Sequence, residues 1–65
     1  MTLRELPRGL PFYYEGQIYY RDYMATFGKV QIIKAYKVTN GRVDFQLPNW
    51  FECDTIIEPW HREAQ

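Results

Sequence analysis

The stretch "KAYKVTNGRVDFQL", residues 34–47, constrains the fold more than any other part of the chain. Asn-Gly between two β-forming runs favours a two-residue type I′ turn, because both central residues of that turn take positive φ. With Asn40-Gly41 at the tip, Val38 faces Val43, Lys37 faces Asp44 and Tyr36 faces Phe45. One face of this hairpin then carries Tyr36, Val38, Val43, Phe45 and Leu47. The other carries Ala35, Lys37, Arg42, Asp44 and Gln46, with Lys37 and Asp44 as an opposite-charge pair. Lys34 falls on the apolar face, where its long stem can carry the amine past the sheet edge.

The stretch "FYYEGQIYYRDY", residues 12–23, holds six aromatic side chains, five of them tyrosines. A turn at Glu15-Gly16 pairs Tyr14 with Gln17, Tyr13 with Ile18 and Phe12 with Tyr19. Tyr13, Ile18 and Tyr20 then share one face; Phe12, Tyr14, Tyr19, Arg21 and Tyr23 share the other. Both faces are aromatic, so periodicity alone leaves open which of them is core, and a one-residue slip exchanges them. The set not used as core is either covered by the N-terminal arm or displayed to a partner.

The remaining segments read as follows. "RDYMATFG" fits one helical turn capped by Asp22 and stopped at Gly28, or a wide β-turn. "KVQIIKAYKV" is long enough to bend, with a bulge expected near Ile32-Ile33. "LPNW" reads as a break, since proline is excluded from a central ladder. "FECDTIIEP", residues 51–59, reads as the last strand. Its alternation sends Phe51, Cys53, Thr55 and Ile57 one way, and Glu52, Asp54, Ile56 and Glu58 the other. Thr2 and Glu5 have capping-box spacing, but Pro7 stops any helix at once, so residues 1–10 read as an extended arm. Residues 60–65 read as a polar C-terminal tail.

These elements predict one small all-β domain over residues 1–65, with at most one helical turn. Four or five short antiparallel strands make a core most economically as a partly open SH3-like barrel or a strongly curved sheet. The SH3-like aspect is architectural only; no segment carries a family motif.

Composition narrows the function classes. A chain of 65 residues buries only about 60% of the surface its unfolded form exposes, so a partner, metal or disulfide would help it. Cys53 is the sole cysteine, which rules out an internal disulfide and suits a reducing, cytoplasmic compartment. No apolar run is long enough for a signal peptide or a membrane span. Eight Lys/Arg balance eight Asp/Glu, so the basic excess typical of a duplex-DNA binder is missing. Hydrophobic residues make up 46% and aromatics 18%, enough to condense a core.

No pattern with catalytic chemistry emerges. Cys53 and His61 are the only candidates for a nucleophile and base, and nothing supplies an orienting group or an oxyanion site. Cys53 lies on the apolar side of its strand, the usual place of a structural thiol. Zinc needs soft ligands at paired spacings, which are missing. Glu52, Asp54 and Glu58 read as a solvated strand face that discourages edge association. Cofactors and metals are therefore not expected, nor is enzymatic activity.

The weightiest functional signal is the second aromatic set. Phe12, Tyr14, Tyr19, Arg21 and Tyr23, with Trp60 and the arm as second choices, are the partner-binding residues the sequence proposes. Tyrosine gives large rigid contact area with one polar handle. The leading expectation is a protein-binding module, an accessory subunit or inhibitor that occupies a surface of a larger protein. Its size fits a phage or mobile-element product. Single-stranded DNA or RNA binding through base stacking is the alternative, and a homodimer built on the tyrosine sheet is the third reading.

Overall fold

Three tight turns fold the chain into a ladder of antiparallel strands. The computed structural model describes residues 1–60, and His61 with the rest of the predicted tail lies outside the described residues. The strands are β1 (Pro11–Tyr14), β2 (Gln17–Phe27), β3 (Val30–Thr39), β4 (Arg42–Glu52) and β5 (Glu58–Pro59). They form one sheet in the order β4-β3-β2-β1-β5. The edges β4 and β5 do not pair with each other, so the sheet is not closed into a barrel, in keeping with the expected small, partly open β fold. The only helical element among the described residues is a 3-10 turn at Leu3–Glu5.

The turns behave as their residues dictate. Asn40 and Gly41 take φ of 53° and 76°, the pair of positive values a type I′ hairpin needs. Glu15 and Gly16 also take positive φ, and the first hairpin has the expected register of Tyr14 with Gln17, Tyr13 with Ile18 and Phe12 with Tyr19.

Between those turns the sequence expectations need correction. Residues 22–28 form no helical turn; β2 runs on to Phe27 and hairpins into β3 at Gly28-Lys29. The register of β2 on β3 breaks between Arg21 and Met24, so the bulge lies at Asp22-Tyr23, opposite Lys34, and not at Ile32-Ile33. The β3–β4 register starts as expected, with Val38 opposite Val43, and then breaks. Tyr36 pairs with Pro48 instead of Phe45, and Lys37 gains no ladder partner in Asp44. The extra residues Asp44–Leu47 bow out of the ladder, where the Asp44 carboxylate accepts the Gln46 N–H at 3.0 Å.

Pro48 does not interrupt the chain either, because β4 is an edge strand. An edge leaves one row of backbone groups without a sheet partner, and proline is tolerated there. The expected strand over 51–59 is split. Phe51 and Glu52 end β4, residues 53–57 are irregular apart from an isolated antiparallel bridge of Ile56 with Thr2, and Glu58–Pro59 pairs with β1. The alternation nevertheless holds: Cys53 and Ile57 are buried while Asp54 and Ile56 are exposed.

The core sits on one face of the sheet. Phe12, Ile33 and Ala35 line it from β1 and β3, and Tyr14, Tyr19 and Phe51 pack at its margin. Residues from both chain ends cover it. The Leu3 N–H donates to the Thr55 carbonyl at 2.9 Å, Arg4 N–H to Cys53 at 2.8 Å, and Ile57 N–H to Met1 at 2.9 Å. This pairing drives Leu3, Leu6, Cys53 and Ile57 down onto Phe12 and Ile33. Two layers are what a one-sided sheet needs to bury its apolar face. The arm is thus a lid, with one 3-10 turn where a fully extended segment was expected.

Candidate functional site: the outward aromatic sheet face

Burying one face of the sheet settles which residues the other presents. On β3, Ile33 and Ala35 point to the core, so Ile32, Lys34, Tyr36 and Val38 point away from it. Cross-strand partners share a face, which adds Tyr20 opposite Tyr36, Trp50 opposite Lys34 and Tyr13 on β1. The bulge at Asp22-Tyr23 adds another ring. Strict alternation would send Tyr23 inward with Arg21. The extra residue instead lets it meet Trp50, with ring centroids 6.2 Å apart.

The result is two groups of aromatic rings on one face, joined by Lys34. Phe27 and Tyr23 both stand edge-on to Trp50, each at 6.2 Å. Further along, Phe45 folds back from its bulge onto Tyr36 at 4.9 Å and Tyr20 at 6.3 Å. Phe27 is 60% exposed, Phe45 64% and Trp50 44%. Beyond Tyr20, a groove of about 590 Å³ runs between Ile18, Val38, Val43 and Trp60.

One cation stands within this surface. The Lys34 Nζ lies 5.4 Å from the Tyr23 ring centre, 5.4 Å from Tyr36 and 5.7 Å from Trp50. These distances are within cation–π range. The Tyr36 side chain first, then Tyr23 and Asp22, hold the Lys34 ammonium above the ordinary lysine range, against an opposing effect of burial. Lys34 therefore stays protonated at neutral pH. Among the described residues the ion pairs are Arg4 with Asp54 and Arg8 with Asp22, and Lys34 has no such partner.

The residues singled out from sequence are divided between the two faces, and this is the main correction. Phe12 is 0% exposed at the centre of the core and offers nothing to a partner. Tyr14 and Tyr19 are half-buried around Phe51, at 5.2 and 5.0 Å. Arg21 is buried; its Nη1 donates to the Asp22 carbonyl at 2.7 Å and its Nε has no hydrogen-bond partner. Tyr23 is outward, by virtue of the bulge. Trp60 is half-buried, its N–H bonded to the Pro11 carbonyl at 3.3 Å, and borders the groove. So Tyr23 and Trp60 stay with the outward surface, while Phe12, Tyr14, Tyr19 and Arg21 belong to the inward one. Phe27, Lys34, Phe45 and Trp50 were not proposed from sequence, although the placement of Lys34 with Tyr36 on one strand face was the signal for them.

Cys53 is buried beneath the lid, as its alternation predicted. Among the described residues no three His, Cys, Asp or Glu side chains converge as a metal site would require. No helix of the described residues is long and apolar enough to cross a membrane. No protein-family model, curated protein or solved structure matches the chain.

Proposed function

We propose that this protein is a non-enzymatic protein-binding module whose outward sheet face docks on a larger protein. One observation carries the reading: the exposed rings Tyr23, Phe27 and Trp50 form one group on the outward face of the sheet, and Phe45, exposed on the same face, lies beyond Lys34. Soluble monomers rarely leave large contiguous apolar patches exposed unless something binds there. Tryptophan and tyrosine are also the side chains that most often dominate protein interfaces. An accessory subunit or inhibitor that occupies a partner's surface needs nothing more elaborate. A lone buried thiol and balanced charge suit the cytoplasm, and the small size suits a phage or mobile-element product.

Single-stranded nucleic acid is the weaker reading. Base stacking could use the same rings, but phosphates need a trail of cations. The face offers Lys34, with Glu52 and Glu58 on the same side by their pairing with Ile32 and Tyr13.

Affinity capture from host lysate, with and without nuclease, tests the proposal when run beside a Phe27→Ser/Trp50→Ser variant. A stoichiometric protein band that survives nuclease and disappears with the variant is the expected result. Recovery of nucleic acid, or a band indifferent to both substitutions, would overturn it. Mass measurement across a dilution series separates a second copy of this chain from a different partner.

A further inference from the structure

The chemistry of the partner follows from the cation on the face, if the docking reading above holds. We infer that the outward face receives a peptide segment in which a single carboxylate is flanked by aromatic or aliphatic side chains, the carboxylate pairing with Lys34.

The argument begins with what covering this face would do to Lys34. The Lys34 side chain is half-buried, and it carries its ammonium to 5.4–5.7 Å from the ring centres of Tyr23, Tyr36 and Trp50, where water still reaches it. In the free protein, water and the ring faces stabilise the charge together. A partner seated on Trp50 removes the water, and an ammonium left without a counter-charge opposes association strongly. Among the described residues no carboxylate pairs with it. Asp22 bears on Lys34 electrostatically, but its carboxylate is held by the Arg8 guanidinium at 3.0 Å. The counter-charge therefore has to come from the partner. A carboxylate restores the balance with a charge-assisted hydrogen bond, and the three rings already fix the ammonium where it must arrive.

The apolar flanks follow from the neighbours. On one side of Lys34 lie Trp50 and Phe27; on the other lies Phe45, packed over the buried Tyr36. Both ask for apolar contact. An acidic run is disfavoured, since Glu52 and Glu58 lie on the same side of the sheet and would repel it. One acid between apolar residues is the pattern that matches. A polynucleotide fits less well, because it brings a phosphate at every step to a face with one lysine.

Selection of random dodecapeptides displayed on phage tests this, with the intact protein, Lys34→Gln and Trp50→Ser as parallel baits. Circular dichroism first checks that both variants are folded; Trp50→Phe replaces Trp50→Ser if the latter is not. Peptides enriched on the wild type should carry one Asp or Glu flanked by apolar residues. They should bind Lys34→Gln at least tenfold more weakly, and selection on that bait should lose the acid. Enriched peptides that need Trp50 but carry no acid would overturn the carboxylate inference and leave the docking face standing. Peptides indifferent to Trp50, or no enrichment on the wild type, would overturn the docking reading and this inference with it. Binding of an oligo-dT dodecamer with greater affinity than the peptides would replace both with nucleic-acid recognition.

Discussion

Phe51, near the end of the edge strand β4, stands edge-on to Tyr14 of β1, with ring centroids 5.2 Å apart, although β3 and β2 lie between their strands. The sheet therefore coils until its fourth strand reaches back over its first. The same ring meets Phe12 at 5.6 Å and Tyr19 at 5.0 Å. The inward aromatics of "FYYEGQIYYRDY" are consumed by this contact, and the outward ones are left for a partner.

Phe51→Ala should therefore cost about 2–4 kcal/mol, somewhat less than removing a fully buried ring, because Phe51 packs at the core margin. In a domain this small that is most of the stability. Phe45→Ala, which removes a ring 64% exposed and in contact with Tyr36, should cost about 1 kcal/mol. Urea denaturation followed by circular dichroism measures both. Equal losses would contradict the assignment of inward and outward faces.

Arg21 gives a test of opposite sign. Among the described residues its buried guanidinium has one hydrogen bond, to the Asp22 carbonyl, and no partner for Nε. An apolar side chain of similar length avoids that desolvation cost. Arg21→Met should be as stable as the parent or more stable, by about 1 kcal/mol. A loss of more than about 2 kcal/mol would show that the charge is compensated in the native protein.

Gly41 holds a φ of 76° at the tip of the second hairpin. A side chain there favours other conformations, so Gly41→Ala should lower stability by about 1–2 kcal/mol. Among the described residues, no heavy atom beyond its chain neighbours lies within 4 Å of the site a Cβ would occupy, so the loss is conformational and not steric. A thermal melt that matches the parent would argue against the type I′ turn.

The Glu5 carboxylate accepts the Thr2 backbone N–H at 2.8 Å and the Thr2 hydroxyl at 3.1 Å. The backbone bond first, then the hydroxyl bond, lower its pKa. A carboxylate with a depressed folded-state pKa contributes stability that is present above its unfolded value and lost as pH falls through the folded one. The Thr2 amide resonance should titrate with a midpoint below the ordinary glutamate value, about 4.3. Glu5→Gln should remove that step. A midpoint at or above the ordinary value would show that the arm's first turn is not closed by this contact.

The turns were legible in sequence because their chemistry is local. Asn40-Gly41 and Glu15-Gly16 set the pairing next to them, and the alternation over 51–57 marked Cys53 and Ile57 as inward. What could not be read locally depended on strand order and on insertions. Pro48 is acceptable only because β4 is an edge, and that position is decided by every other strand. The bulge at Asp22-Tyr23 moves one tyrosine across the sheet with no glycine to announce it. The inward face of the first hairpin was undecidable by periodicity, because both faces are aromatic. The lid of Leu3, Leu6, Cys53 and Ile57 decides it, through contacts between the two ends of the described chain. That last effect explains why Phe12, Tyr14, Tyr19 and Arg21, proposed as a displayed set, face the core instead.

Hydroxyl-radical footprinting read by mass spectrometry, on the free protein and on its captured complex, tests the central claim most directly. In the free protein at low concentration, Tyr23, Phe27 and Trp50 should be oxidised readily, while Phe12 and Phe51 are protected. In the complex, protection should spread to Tyr23, Phe27 and Trp50. Trp50 already protected in the free protein, or Trp50 still oxidised at full rate in the complex, would contradict the outward aromatic face as the docking surface.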